Sequence, residues 1–131
     1  DNMEADIVKS LIRIKINCYP QSNVLEEHGM HQDRPFDHKG MLIYMNTCDG
    51  YTRFESGEKI DSVANRIVFF NPFIKHTSTN TTNASRRVTI NFNYFLVVLP
   101  QHVKYYKKMH PHELESSSKS SPQVVNFAFE I

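Results

Sequence analysis

Short stretches of β-branched and aromatic residues, separated by turn residues, dominate the chain. Ile12, Ile14 and Ile16 alternate with Arg13, Lys15 and Asn17, the period of two that marks a half-buried strand. Gly40 opens Met41-Leu42-Ile43-Tyr44-Met45-Asn46, Asp49-Gly50 turns the chain into Tyr51-Thr52-Arg53-Phe54-Glu55, and Gly57 sits in the next turn. Arg66-Ile67-Val68-Phe69-Phe70 is closed by Asn71-Pro72, and residues 77–85, almost wholly Ser, Thr, Asn and Ala, read as a loop. The longest strand candidate follows, from Arg87 to Phe95. Its Arg87, Thr89 and Asn91 share one face, and Arg86, Val88, Ile90 and Phe92 the other. Many short strands with no helical period between them predict a mainly β fold, an antiparallel sandwich or jelly roll (a double-stranded β-helix). Minor helices are expected only towards the ends, over 6–11 and 101–109. Residues 110–123, with two prolines and a Ser-rich run, read as a linker. Val124 to Ile131 is strand-like again and suits a sheet edge.

Length and composition narrow the class. A chain of 131 residues is one domain, 1–131, with its core over about 12–95, and is large enough to bury a real core without disulfides. Only Cys18 and Cys48 are present, which favours a reducing, intracellular, cytoplasmic setting. A net charge of +1 gives no strong nucleic-acid signal. No apolar run is long enough to span a membrane, and the first residues, Asp1-Asn2-Met3, do not form a secretory leader. Asn80-Thr81-Thr82 and Asn83-Ala84-Ser85 fit the glycosylation pattern but read better as a polar loop rich in small residues. Neither a P-loop, a G-x-G-x-x-G nor a G-x-S-x-G element occurs.

Candidate chemistry begins at His31-Gln32-Asp33. On an extended segment residues i and i+2 point the same way, so an imidazole and a carboxylate can reach one ion. His76, just beyond the apolar strand that Asn71-Pro72 closes, stands where a jelly roll has its mouth. Two histidines and one carboxylate on one side of a metal leave positions open for a chelating co-substrate and O2, the pattern of non-haem iron(II) oxygenases. Arg87, at the start of a core strand, is costly unless paired, and its planar fork suits a carboxylate such as the far end of a keto-acid. Tyr44, which shares a face with Leu42 and Asn46, can add a hydroxyl donor. Arg86 competes with Arg87 for the carboxylate.

Taken in order, Cys18-Tyr19-Pro20, His31-x-Asp33, Ile43-Tyr44-Met45-Asn46 with Gly50, Asn65 to Phe70 leading to His76, and Arg87-Val88-Thr89-Ile90-Asn91 resemble the 2-oxoglutarate/iron(II)-dependent dioxygenases, nearest their prolyl-hydroxylase-like branch. The resemblance runs from about residue 12 to residue 95. It implies a hydroxylase that uses Fe(II), 2-oxoglutarate and O2, with ascorbate as an auxiliary, on an unactivated C–H bond of a peptide, a protein (a prolyl residue first) or a small molecule. It implies His31, Asp33 and His76 as iron ligands, Arg87 and Tyr44 on the distal carboxylate of 2-oxoglutarate, Tyr19 near its metal end, and Thr89 and Asn91 on the inner wall. The helices that usually buttress such a jelly roll are almost wholly missing.

Other readings compete. A cupin-like metalloprotein with non-oxidative chemistry on zinc or manganese would use the same ligands, and a non-catalytic jelly-roll binding module would use none. His28 with His31 needs a helical turn that the sequence does not support, and His38 is a further spare imidazole. His110 and His112 read as solvated linker, and Lys104, Lys107 and Lys108 as a solvated face.

Overall fold

The computed structural model describes residues 7–97 and 121–127. Eight strands follow in chain order: β1 (Ile7–Pro20), β2 (Lys39–Tyr44), β3 (Tyr51–Phe54), β4 (Lys59–Asp61), β5 (Arg66–Phe70), β6 (His76–Ser78), β7 (Arg86–Val97) and β8 (Gln123–Asn126). They form two antiparallel sheets, one ordered β1-β7-β2-β5-β8 and one ordered β4-β3-β6. The described part is thus all β, a sandwich compatible with a jelly roll. No helix among the described residues is long and apolar enough to cross a membrane.

Several expectations change. The helix over 6–11 is not formed over its described part: residues 7–11 belong to β1, where pairing such as Val8 with Leu96 and Leu11 with Tyr94 extends the backbone. The expected helix over 101–109 lies outside the described residues, as does most of the linker, although Gln123 already pairs with Phe69 in β8. That strand occupies the sheet edge beside β5. The polar loop begins later than its composition suggests, because Thr77 and Ser78 pair with Arg53 and Thr52. Strand β4 has a single apolar residue, Ile60, between Lys59 and Asp61, too little for a period to register.

The apolar core lies to one side. Leu42, Tyr44, Val68 and Phe70 of the larger sheet meet Phe54 and Ile60 of the smaller, with the Phe54 and Phe70 rings edge to face at 5.6 Å. Each such side chain contributes roughly 1.5–3 kcal/mol on burial. Across the same face the register carries this row into polar residues: Tyr44 pairs with Thr89, Leu42 with Asn91 and Gly40 with Asn93. These β7 residues pair in turn with Asn17, Lys15 and Arg13 of β1. Half of the sandwich interior is therefore a polar wall.

This reverses the sidedness that the β1 pattern suggests. Ile14 and Ile16 face outwards, 51% and 67% exposed, while Arg13, Lys15, Asn17 and Tyr19 face a cavity. The cause is a bulge. Leu11 pairs with Tyr94 and Arg13 with Asn93, so Ile12 has no counterpart in the register, and the extra residue turns the rest of the strand over. Deleting Ile12 is expected to remove the bulge and leave Leu11–Tyr94 and Arg13–Asn93 as consecutive pairs, so that Ile14, Ile16 and Cys18 stay on the outer face. In a Cys48→Ser background, thiol labelling of the exposed Cys18 should then be unchanged in the folded variant. Labelling slowed about tenfold would show that the strand slips by one residue instead.

Candidate metal centre

His31 and His76 sit opposite one another in an isolated antiparallel bridge and exchange two backbone hydrogen bonds, each N to O at 2.9 Å. Opposed residues on neighbouring strands project to the same side, and the two rings lie 4.8 Å apart. Asp33, two residues after His31, is held by its own N–H donating to the Pro72 carbonyl at 3.0 Å. Its carboxylate therefore comes to the same point. The ligand atoms of His31, Asp33 and His76 all lie within 4.8 Å of one another, and among the described residues they form the one such cluster. Asp33 Oδ1 is 3.6 Å from His31 Nε2 and 3.3 Å from His76 Nε2. Adjacent ligands bonded at about 2.1 Å to one ion stand roughly 3 Å apart, so small closures would complete the coordination.

Each donor is pinned from behind. His31 Nδ1 lies 3.0 Å from the Gly29 carbonyl and His76 Nδ1 2.9 Å from the Ile74 carbonyl, which fixes the N–H on Nδ1 and turns the Nε2 lone pair to the cluster. Asn91 Nδ2 and Asn93 Nδ2 donate to Asp33 Oδ2 at 2.8 and 2.9 Å, leaving Oδ1 free. Burial alone would push the Asp33 carboxyl up, but in the metal-free protein Nε2–H groups of His31 and His76, whose place a metal would take, together with the Asn93 and Asn91 amides more than offset it and hold the group ionised well below the usual carboxylate range. His31 is raised, chiefly by its hydrogen bond to Asp33, with burial opposing. This donor set fits a divalent metal. Asn93→Ala removes one of the two amides behind Asp33 and is expected to weaken metal binding by about 10–100-fold. Competition against a chelating dye measures it, and an unchanged affinity would mean that Asn91 alone orients the carboxylate.

A cavity of about 260 Å³ opens beside the cluster, walled by Tyr19, Leu42, Phe70, Thr89 and Asn91 and floored by Thr52 and Ser78. Arg87 lies behind that floor, fully buried. It donates from Nε to Ser62 Oγ at 2.7 Å, to the Thr79 carbonyl at 2.9 Å, to Thr52 Oγ1 at 3.3 Å, and to Ser78 Oγ. No carboxylate among the described residues pairs with it. Burial pulls its pKa down, with the Tyr44, Cys48 and Tyr19 side chains opposing. The Tyr19 and Tyr44 rings flank the guanidinium at 5.7 and 5.6 Å. Gly50 makes room for it: a Cβ there would meet Arg87 Cδ and come within 2.6 Å of the Asn80 carbonyl. Gly50→Ala is expected to destabilise by about 1–3 kcal/mol through overpacking, read from denaturant midpoints. A neutral outcome would show that Arg87 can shift freely.

The expected site residues separate accordingly. Tyr19, Thr89 and Asn91 reach the cavity with the three ligands. The Tyr44 hydroxyl is already engaged, donating to Thr52 Oγ1 at 2.8 Å and towards the Ile60 carbonyl at 3.3 Å. Arg86 is exposed and its carbonyl accepts from Asn46. His28 stacks near Tyr19 at 4.9 Å, and His38 is buried with Nδ1 at 2.9 Å from the Phe36 carbonyl; neither joins the cluster. Sequence reasoning missed Asn93, although it continues the alternation of Arg87, Thr89 and Asn91. It missed the inward Arg13 and Lys15 because the bulge is invisible without β7.

The chain matches no model of a known family, and no curated protein is similar to it. Fold and site together define a class: a mainly β protein with two histidines and one carboxylate placed to bind a metal, consistent with the broad dioxygenase and cupin superfamily.

Proposed function

We propose that the protein is an iron(II)- and 2-oxoglutarate-dependent hydroxylase. The observation that carries this reading is the pairing of two features in one cavity. The three pinned donors stand beside it, and a buried guanidinium with no acidic partner among the described residues stands behind its hydroxyl floor. His31, Asp33 and His76 would hold the metal on one side and leave its other positions open. Arg87, through its charge and through the Thr52 and Ser78 hydroxyls it orients, favours a carboxylate at the cavity floor. Leu42 and Phe70 give an apolar wall that limits water between the two ends. When bound, the iron and keto-acid would supply, with O2 as the oxidant, oxidative decarboxylation to succinate and CO2 coupled to hydroxylation of an unactivated C–H bond, one oxygen atom going to succinate and the other to the substrate.

Anaerobic titration with iron(II) and 2-oxoglutarate tests the reading. A weak visible charge-transfer band should appear only with both and disappear in His76→Ala. Folded, iron-loaded protein that gives no band would remove the keto-acid from the mechanism.

A further inference from the structure

Resting on that reading, we infer that the substrate is a small carboxylic acid, held by Arg13 and Lys15 at the cavity mouth. Both project from the inward face of β1 into the cavity, and Asp33 is the one acid among the described residues that line it. The Arg13 guanidinium donates from Nε to Asn93 Oδ1 at 3.3 Å and stands 3.8 Å from Asp33 Oδ1, with its side chain 29% exposed. It is thus beside the metal ligands and still open to the cavity. Lys15 pairs in register with Asn91, the next residue along the same wall.

The charges do not balance once a dication enters. Asp33 carries the only negative charge on that wall, and a metal bound to it takes up the charge that now faces Arg13. A dianionic keto-acid offsets the metal and Arg87, leaving the half-buried Arg13 uncompensated where unpaired charge is costly, while the exposed Lys15 adds positive potential at the mouth. An anionic substrate restores the balance at the place where its C–H bond must lie. Asn91 Oδ1 is buried without a partner and lines the same space, so it can accept a hydrogen bond from a hydroxyl or ammonium group next to the carboxylate. The cavity, at about 260 Å³, lies at the lower edge of the roughly 300–1,000 Å³ of small-molecule sites, so beside the keto-acid only a small substrate, seated at the open mouth, fits.

The test uses protein loaded anaerobically with iron(II) and saturating 2-oxoglutarate, with its charge-transfer band as the readout. The probes are linear C4–C8 monocarboxylates and free α-amino acids, each beside its primary amide, and an uncharged capped prolyl peptide. At least one acid should perturb the band saturably and bind about tenfold or more tightly than its amide, as one charge-assisted hydrogen bond provides. That preference should collapse in Arg13→Gln/Lys15→Gln. Acids no better than amides, an acid preference that survives the double substitution, or a prolyl peptide that perturbs the band as strongly as any acid would each overturn the inference while leaving the hydroxylase reading intact. A band that never forms before any probe is added overturns both.

Discussion

Asp33→Ala is expected to strip the protein of metal affinity. Of the three donors, Asp33 is the only anion, and its two oxygens have separate tasks. Oδ2 is taken by the Asn91 and Asn93 amides, and Oδ1 faces both imidazoles. The substitution removes the charge and the ligand together, so the loss should exceed the roughly 100-fold that follows removal of an outer partner. The side chain is 3% exposed, and its loss also leaves two buried amides without an acceptor, at a cost of about 1–3 kcal/mol. Asp33→Asn separates the effects, because it keeps the shape and removes the charge. Metal content after dialysis, with far-UV circular dichroism as the control for folding, measures both variants. Full retention of metal by folded Asp33→Asn would sink the assignment. A depressed carboxyl stabilises the fold above the unfolded value near pH 4 and loses that contribution as pH falls below it. The acid unfolding of metal-free protein should therefore flatten in Asp33→Asn.

Arg87→Met is expected to divide structure from function. Methionine roughly fills the volume of the stem but takes away a charge and its hydrogen bonds. Two effects on stability oppose one another: a buried charge with no acidic partner among the described residues is relieved, while the Thr79 carbonyl and the hydroxyls of Ser62, Thr52 and Ser78 lose a donor. Hydroxyls can rotate to new partners and the carbonyl cannot, so a net loss of about 1–3 kcal/mol is expected. The cost to 2-oxoglutarate should come through the Thr52 and Ser78 hydroxyls that Arg87 orients, at about tenfold, as the loss of one charge-assisted hydrogen bond gives. Denaturant unfolding gives the first number and the anaerobic band, titrated at saturating iron, the second. Unfolding as predicted with unchanged co-substrate affinity would make Arg87 a purely structural cation.

Much of the site is legible in the sequence because it rests on local geometry. The spacing of His31 and Asp33 places both on one side of an extended segment, and Arg87, Thr89 and Asn91 alternate along one strand. The role of the residues behind the ligands is not legible, since the Gly29 and Ile74 carbonyls act through backbone positions that any residue could supply. Tyr44 shows a different limit. Its place on the inward face follows from alternation, but the partner of its hydroxyl depends on how β2 packs against Thr52 and Ile60 of the other sheet. Strand β1 misleads most, because three isoleucines alternating with polar residues imply a greasy inside, and only pairing with β7 shows the reverse.

The unmatched residue at Ile12, the second in β1 after Lys9, gives the rest of the strand a parity. Beyond it, odd-numbered positions form the wet wall and even-numbered positions the outer face, and this assignment survives only changes of length that come in twos. In an evolving lineage, a one-residue insertion or deletion between Arg13 and Tyr19 would exchange cations for isoleucines over part of the cavity wall without altering a single side chain. Such a change would bury more apolar surface and could pass a selection for stability alone. The strand is therefore a place where length, rather than identity, separates a chain that can hold its ligand from one that merely folds.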